Sequence, residues 1–179
     1  MSVQSLLESI ALLPEAERAE LLARLREIHG APPPPRQMGL GLDHAEWTDP
    51  ANYLIVFDGG SRGNPGEGYG SFAIFEGSRP AGVRRLTFPG SLTNNEAEYH
   101  TLVGALRHLC EQLGERAPAT TLEVRGDSAL VLQQVLGHWK AKDDRMRGLR
   151  DDTRALLGRF KAWRLVQQPR EDTVKVLGH

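Results

Sequence analysis

The sequence predicts an α/β fold, a mixed five-stranded sheet with flanking helices, preceded by a small helical hairpin at the N-terminus. Three observations carry that expectation. A continuous apolar run, Tyr53-Leu54-Ile55-Val56-Phe57, reads as a strand buried on both faces. Closely spaced strand-like segments follow it, which implies antiparallel hairpins. Beyond Thr93, helical and strand periodicities alternate, as they do where helices pack on a sheet.

Taken in order, residues 2–29 read as helix, turn and helix. Leu6, Leu7, Ile10 and Leu13, then Leu21, Leu22, Leu25 and Ile28, recur at three- and four-residue steps. Pro14, followed by Glu15 and Glu17, suits the first turn of the second helix. Two short helices cannot bury both apolar faces alone, so residues 1–30 are expected to serve docking or oligomerisation, against a sister chain, the main domain or another protein. Four consecutive prolines, Pro32 to Pro35, favour an extended spacer, and residues 31–50 are read as a proline-rich linker. The main domain is then expected over residues 51–179.

Within it the first strand, Tyr53 to Phe57, ends at Asp58-Gly59-Gly60, and residues 60–70 read as a turn-rich stretch. Ser71 to Phe75 is expected as the second strand and Val83 to Phe88 as the third. Thr93-Asn94-Asn95 is a helix-capping signal. The long helix after it carries Ala97, Leu102, Ala105, Leu106, Leu109 and Leu113 on one face. Thr121 to Val124 reads as the fourth strand, ended by Gly126-Asp127-Ser128. Helical spacing returns at Leu130, Val131, Gln134 and Val135, and again from Met146 to Phe160. Trp163 to Val166 reads as the fifth strand. The tail after Pro169 looks too short for a full last helix, which makes Glu171 and Asp172 a solvated loop.

Composition bounds the function. Hydrophobic residues are 40% and charged residues 25%, a soluble globular balance. No apolar run reaches 18 residues, so a membrane span is not expected. The N-terminus lacks a basic region and carries acids throughout, unlike a secretory signal. The lone Cys110 has no internal disulfide partner, which fits a reducing compartment, and the cytoplasm is the expected location. A net charge of −1 is not the footprint of a strong nonspecific nucleic-acid binder. Residues 140–150 nevertheless hold five basic residues against two acids, which reads either as a small basic face or as a solvated helix surface.

Three carboxylates stand at informative places. Asp58 and Asp127 each follow a strand, at the edge where open α/β sheets bind ligands. Glu98 shares the helix stripe of Leu102 and Ala105, so it points inward where apolar residues are expected. Three converging anions repel one another unless a cation lies between them, and a hard divalent ion, Mg2+ or Mn2+, suits oxygen ligands of this kind. Any one of these acids alone is an ordinary surface cap. Together, in this order of elements, they point to a metal site.

Five segments carry a resemblance. Asp58-Gly59-Gly60-Ser61-Arg62-Gly63-Asn64-Pro65-Gly66, Thr93-Asn94-Asn95-Glu96-Ala97-Glu98-Tyr99, Gly126-Asp127-Ser128, Gly137-His138-Trp139-Lys140 and Pro169-Arg170-Glu171 resemble, in sequence order, type 1 ribonuclease H, especially its compact bacterial and archaeal form. The resemblance covers about two thirds of the chain. It implies that Asp58, Glu98 and Asp127 are catalytic metal ligands for two ions that clamp an in-line displacement. It implies as substrate the RNA strand of an RNA–DNA hybrid, with substrate contacts at Gly59, Ser61, Asn64, Asn94, Asn95, Ser128, Trp139 and Lys140. Asn64 and Asn94 or Asn95 would meet minor-groove sugars, where the 2′-hydroxyl marks RNA. Trp139 and Lys140 would meet the DNA strand, although a structural tryptophan fits the sequence equally well.

The chain also departs from that family. Counted from Pro169, the usual fourth acid falls on Leu177 and the usual Asn on Thr173, while Ala129 replaces the Gln that commonly follows Asp-Ser. Asp172 or His179 is the available replacement ligand. The expected activity is therefore hydrolysis of the RNA strand, weakened by the missing acid. The alternative is a module that binds hybrid or double-stranded RNA without cleaving it. A reading from another class makes the N-terminal hairpin the main device, a homodimer or partner contact with the domain as cargo.

Overall fold

The structure, a computed structural model, describes Glu17, residues 50–80 and residues 82–178. Apart from Glu17 and Pro50, the expected hairpin of residues 1–30 and linker of residues 31–50 lie outside the described residues, as do His179 and any partner contact of the hairpin. The elements are β1 (Tyr53–Gly63), β2 (Gly66–Glu76), β3 (Arg79–Pro80), β4 (Arg84–Leu92), α1 (Asn94–Leu113), a 3-10 turn (Gly114–Ala119), β5 (Thr121–Gly126), α2 (Ala129–Leu136), α3 (Asp144–Leu157), β6 (Ala162–Gln167) and α4 (Arg170–Leu177).

Five strands of six residues or more form one mixed sheet, with the two-residue β3 at its edge. β1 and β2 pair antiparallel over eleven couples, and β4 pairs antiparallel with β2. β5 joins β1 in parallel, and β6 joins β5 in parallel. The parallel strands are linked through helices, as a crossover requires. The main core lies between the sheet and the helices, around Ile55, Phe57, Tyr99, Leu102, Leu106, Leu109, Leu122, Val124, Val131, Val135 and Leu157. On the other face Val56, Ala73 and Leu177 make a second, small cluster.

Two expectations are corrected here. The stretch 60–70 is mostly strand: β1 runs through Gly63, β2 starts at Gly66, and only Asn64-Pro65 turn between them. Strand pairing uses the backbone, so a glycine-rich sequence can still pair, and glycine content overstated the turn. The tail also forms an eight-residue helix, α4, with Glu171 and Asp172 in its first turn rather than in a loop. Two turns suffice because Thr173 and Leu177 of α4 are buried, giving a packed face that a free short helix lacks.

Helix α1 starts where the sequence indicates. The Thr93 Oγ1 accepts from the Glu96 N–H at 3.2 Å, and the Glu96 carboxylate accepts from the Thr93 N–H at 2.8 Å. This reciprocal cap, worth about 1 kcal/mol, fixes the phase of the first turn. What sets the helix down close to the sheet is a pair of glycines. Gly59 and Gly70 face each other across β1 and β2. A Cβ on Gly59 would lie 2.6 Å from the Ala97 carbonyl oxygen, and one on Gly70 would lie 1.8 Å from Thr101 Oγ1. The glycine notch therefore seats the α1 turn that carries Glu98.

Gly59→Ala and Gly70→Ala are each expected to cost about 1–3 kcal/mol or more, since the added carbon overpacks the seat. Gly148→Ala in α3, where a Cβ meets nothing within 4 Å, should be neutral or stabilising by up to about 1 kcal/mol. Urea unfolding of the three variants checks this, and equal midpoints for all of them would remove the notch.

Candidate metal centre

The acids gather where two parallel strands separate. β1 and β5 pair from Tyr53/Leu122 to Val56/Arg125, and the pairing stops there. Asp58 and Asp127 each stand two residues beyond that last couple, one on each side of the opening. Asp58 thus lies inside the long β1 rather than at its end, where the sequence alone placed it. Glu98 enters from α1, held over β1 by the notch. Each of the three offers an oxygen, and those atoms all lie within 4.8 Å of one another. Asp58 and Glu98 are 4% and 8% exposed, so this is not a solvated acidic surface.

The electrostatics follow from that packing. Burial, then the neighbouring Asp58 and Asp127 charges, push the Glu98 carboxyl up to about 9. The Gly59 N–H and the Arg170 guanidinium oppose this without cancelling it. Asp127 is raised too, by burial and by Asp58, against the pull of Arg170. Glu98 Oε2 and Asp127 Oδ1 are buried with no hydrogen-bond partner among the described residues. Buried acceptors of this kind are costly unless something positive meets them. A hard divalent cation coordinated by carboxylate oxygens fits these residues; whether it is magnesium or manganese follows from nothing in the donor set.

Arg170 is the residue whose place the sequence did not reveal. It belongs to the Pro169-Arg170-Glu171 match, but nothing in that motif aims it at the acids. As the first residue of α4 it brings Nη1 to 3.4 Å from Asp127 Oδ2 and 4.0 Å from Asp58 Oδ1. Its side chain remains 68% exposed, so it partly offsets the negative charge while staying free to swing away.

Around this centre the structure groups some of the expected contact residues and separates others. Gly59 lies directly under α1. Ser61 donates from its N–H and its hydroxyl to Asn94 Oδ1, each at 2.9 Å, and the hydroxyl also meets the Gly63 carbonyl. The Asn94 N–H donates to Asn64 Oδ1 at 3.2 Å. Ser61, Asn64 and Asn94 therefore form one network joining the β1–β2 turn to the start of α1. Asn95 is exposed beside it. Ser128 is the N-cap position of α2 without a side-chain cap.

Trp139 and Lys140 stand elsewhere, on the α2–α3 loop, both exposed. That loop is tied down by a buried relay: the Tyr99 hydroxyl donates to Gln134 Oε1 at 3.0 Å, and Gln134 Nε2 donates to the Lys140 carbonyl at 3.2 Å. At 51% exposure Trp139 is not a core tryptophan. Asp172 is not among the clustered acids, because it pairs with Lys175 at 3.2 Å on the outside of α4. Leu177 is 1% exposed, packed with Val56 and Ala73, so the position of the usual fourth acid is apolar.

Comparison with known proteins identifies the family and the fold. The family described as "Reverse transcriptase-like" matches residues 64–176. Ribonuclease HI of Halobacterium salinarum is 35% identical over 114 residues, covering 64% of this chain and 55% of that protein. The bifunctional protein Rv2228c of Mycobacterium tuberculosis is 37% identical over 109 residues, covering 60% of this chain but only 29% of its own length. The chain thus spans about half or less of these curated relatives. Among solved structures, RNase H1 from Halobacterium salinarum has a TM-score of 0.60 at 34% identity, covering 68% of this chain and 88% of that one. LC11-RNase H1 in complex with RNA/DNA hybrid has a TM-score of 0.62 at 29% identity, covering 69% of this chain and 89% of that one. No helix among the described residues is long and apolar enough to cross a membrane.

The raised Glu98 gives a pH prediction for the metal-free protein. The unfolded chain ionises Glu98 near its ordinary value of 4.5, whereas the folded protein holds the proton up to about 9. Between those limits the folded state binds more protons, so stability falls as pH rises. Thermal midpoints in chelator should therefore drop between pH 5.5 and 8.5, and Mn2+ should shrink the drop, because the ion binds the ionised form. A flat profile in chelator would contradict the buried, coupled carboxyl.

Proposed function

The chain belongs to the reverse transcriptase-like family, on its type 1 ribonuclease H side, and from that premise we propose that it is a metal-dependent endoribonuclease hydrolysing the RNA strand of RNA–DNA hybrids. The observation that carries this reading is the convergence of Asp58, Glu98 and Asp127 within 4.8 Å at the opening between β1 and β5. These three would hold Mg2+ or Mn2+. When bound, the cation supplies a Lewis acid that lowers the pKa of an attacking water and stabilises charge on the leaving oxygen.

The chain's own residues perform the rest. The glycine notch fixes Glu98, so its carboxyl, which would ionise as a cation binds, is presented without reorganisation. Arg170 limits the mutual repulsion of Asp58 and Asp127, and its exposed guanidinium can move to a phosphate as one arrives. The Ser61–Asn94–Asn64 network presents exposed amide groups at the rim, able to hydrogen-bond the sugar hydroxyls of a wide, shallow minor groove. Trp139 and Lys140, on the tethered loop, supply a stacking surface and a phosphate contact for the second strand.

Leu177 favours a second reading, in which hybrid is bound and turnover is low. A buried leucine against Val56 and Ala73 cannot ligate, so one side of the centre has fewer oxygens than the family pattern supplies.

One experiment separates the two. With a labelled hybrid and either ion, wild type is expected to cleave the RNA strand, and Asp58→Asn should lower the rate by at least about 100-fold. Binding without cleavage in both metals would leave only the second reading. Leu177→Ala should cost about 2–5 kcal/mol of stability, as for other buried leucines, and Leu177→Asp at least as much. A stable Leu177→Asp variant with faster cleavage would identify the missing ligand as the sole defect.

A further inference from the structure

The β1–β2–β4 register aligns side chains in rows across the sheet face opposite α1. Asp58 is paired with Ser71, and Ser71 with Arg85. In the next row Gly60 is paired with Tyr69, and Tyr69 with Thr87. Alternation places Phe57, Phe72 and Leu86 toward α1, so Asp58, Tyr69 and Arg85 share the other face. Tyr69 is 42% exposed, one of three large apolar side chains that are so open among the described residues. Its ring does not stand upright on β2. A Cβ on Gly60 would come within 2.8 Å of the Tyr69 hydroxyl oxygen and 2.9 Å of Cζ, so the ring leans over the bare Gly60 toward β1.

That posture brings an exposed phenol beside the carboxylates. Gly60 lies two residues beyond Asp58, roughly 7 Å along the strand. That distance is about two base-pair rises of a duplex. Arg85 stands in the Asp58 row, two strands away at roughly 10 Å. It is exposed and has no ion pair among the described residues. One row beyond Tyr69, Arg62 is also exposed, paired with Glu67 at 3.5 Å. The acid cluster repels phosphodiesters, and arginines placed around it offset that repulsion. An open aromatic ring and a guanidinium without an ion pair among the described residues, carried on one sheet face, suit a sugar-phosphate strand, which needs stacking and charge together.

We propose that Tyr69 and Arg85 form a flanking subsite for the cleaved strand, with Tyr69 against the sugar or base beside the cut and Arg85 on a phosphate beyond it. The proposal rests on the nuclease reading above. Gly60 has its reason here: any side chain at that position would displace the Tyr69 ring. The strand would be held from both faces of β1, by the Ser61–Asn94–Asn64 network on the α1 side and by this subsite on the other.

The test is hybrid binding by the full chain, followed by fluorescence anisotropy in calcium at several salt concentrations, with cleavage kinetics in manganese alongside. Tyr69→Ala is expected to weaken binding about fivefold or more, whereas Tyr69→Phe keeps most of it. Arg85→Ala should reduce the slope of log affinity against log salt by about 1, and Arg85→Lys should restore it. In cleavage, KM should rise more than kcat falls. If wild type binds hybrid while both alanine variants match it in affinity and slope, the subsite is wrong and the nuclease reading stands. If wild type binds no hybrid, both fall. Should Tyr69→Ala lose its cooperative unfolding, the salt slope of the exposed Arg85→Ala decides alone.

Discussion

Mutual repulsion among three clustered carboxylates, two of them buried, is the constraint around which this domain is arranged. Without a bound cation the charges of Asp58, Glu98 and Asp127 oppose one another, Arg170 offsets this only in part, and the shift of Glu98 to about 9 reflects how poorly that carboxyl tolerates a full negative charge. The scaffold must hold them there regardless. It does so with backbone, the most rigid material available: the parallel β1–β5 ladder stops two residues short of each aspartate, and the Gly59/Gly70 notch seats α1 so that Glu98 closes the third side. On the proposed reading, stability is given up locally in return for a site shaped for a doubly charged ion, a trade common at functional sites.

Much of this was legible in the sequence, and for physical reasons. Strand β1 announced itself through five consecutive apolar residues, and α1 through a capping signal and a 3.6-residue stripe. Glu98 stood out because it interrupts that stripe. What the sequence did not convey was spatial. Glycine-rich residues 60–70 read as a turn, because composition does not distinguish a glycine that bends the chain from one kept bare for a neighbour. Gly59, Gly60 and Gly70 are of the second kind. Arg170 was equally hidden, since its role depends on where α4 begins relative to the sheet opening. The last helix was missed because its stability comes from buried Thr173 and Leu177 rather than from length.

The C-terminal helix is also where this chain parts from the pattern that the resemblance of its sequence implies. The position expected for an acid is a leucine closing the small cluster with Val56 and Ala73, and Asp172 turns outward to Lys175. Helix α4 thus contributes an arginine to the centre and apolar packing to the sheet, without a further carboxylate. A centre with three acids and one nearby guanidinium carries less negative charge than one with four acids, and it should bind a second cation more weakly.

Diffraction from crystals grown with Mn2+, with anomalous maps at the manganese edge, tests the central claim most directly. We expect a peak within bonding distance of one oxygen from each of Asp58, Glu98 and Asp127, with Arg170 turned away. Maps without such a peak, in which those side chains point to separate hydrogen-bond partners, would contradict a centre built for divalent metal.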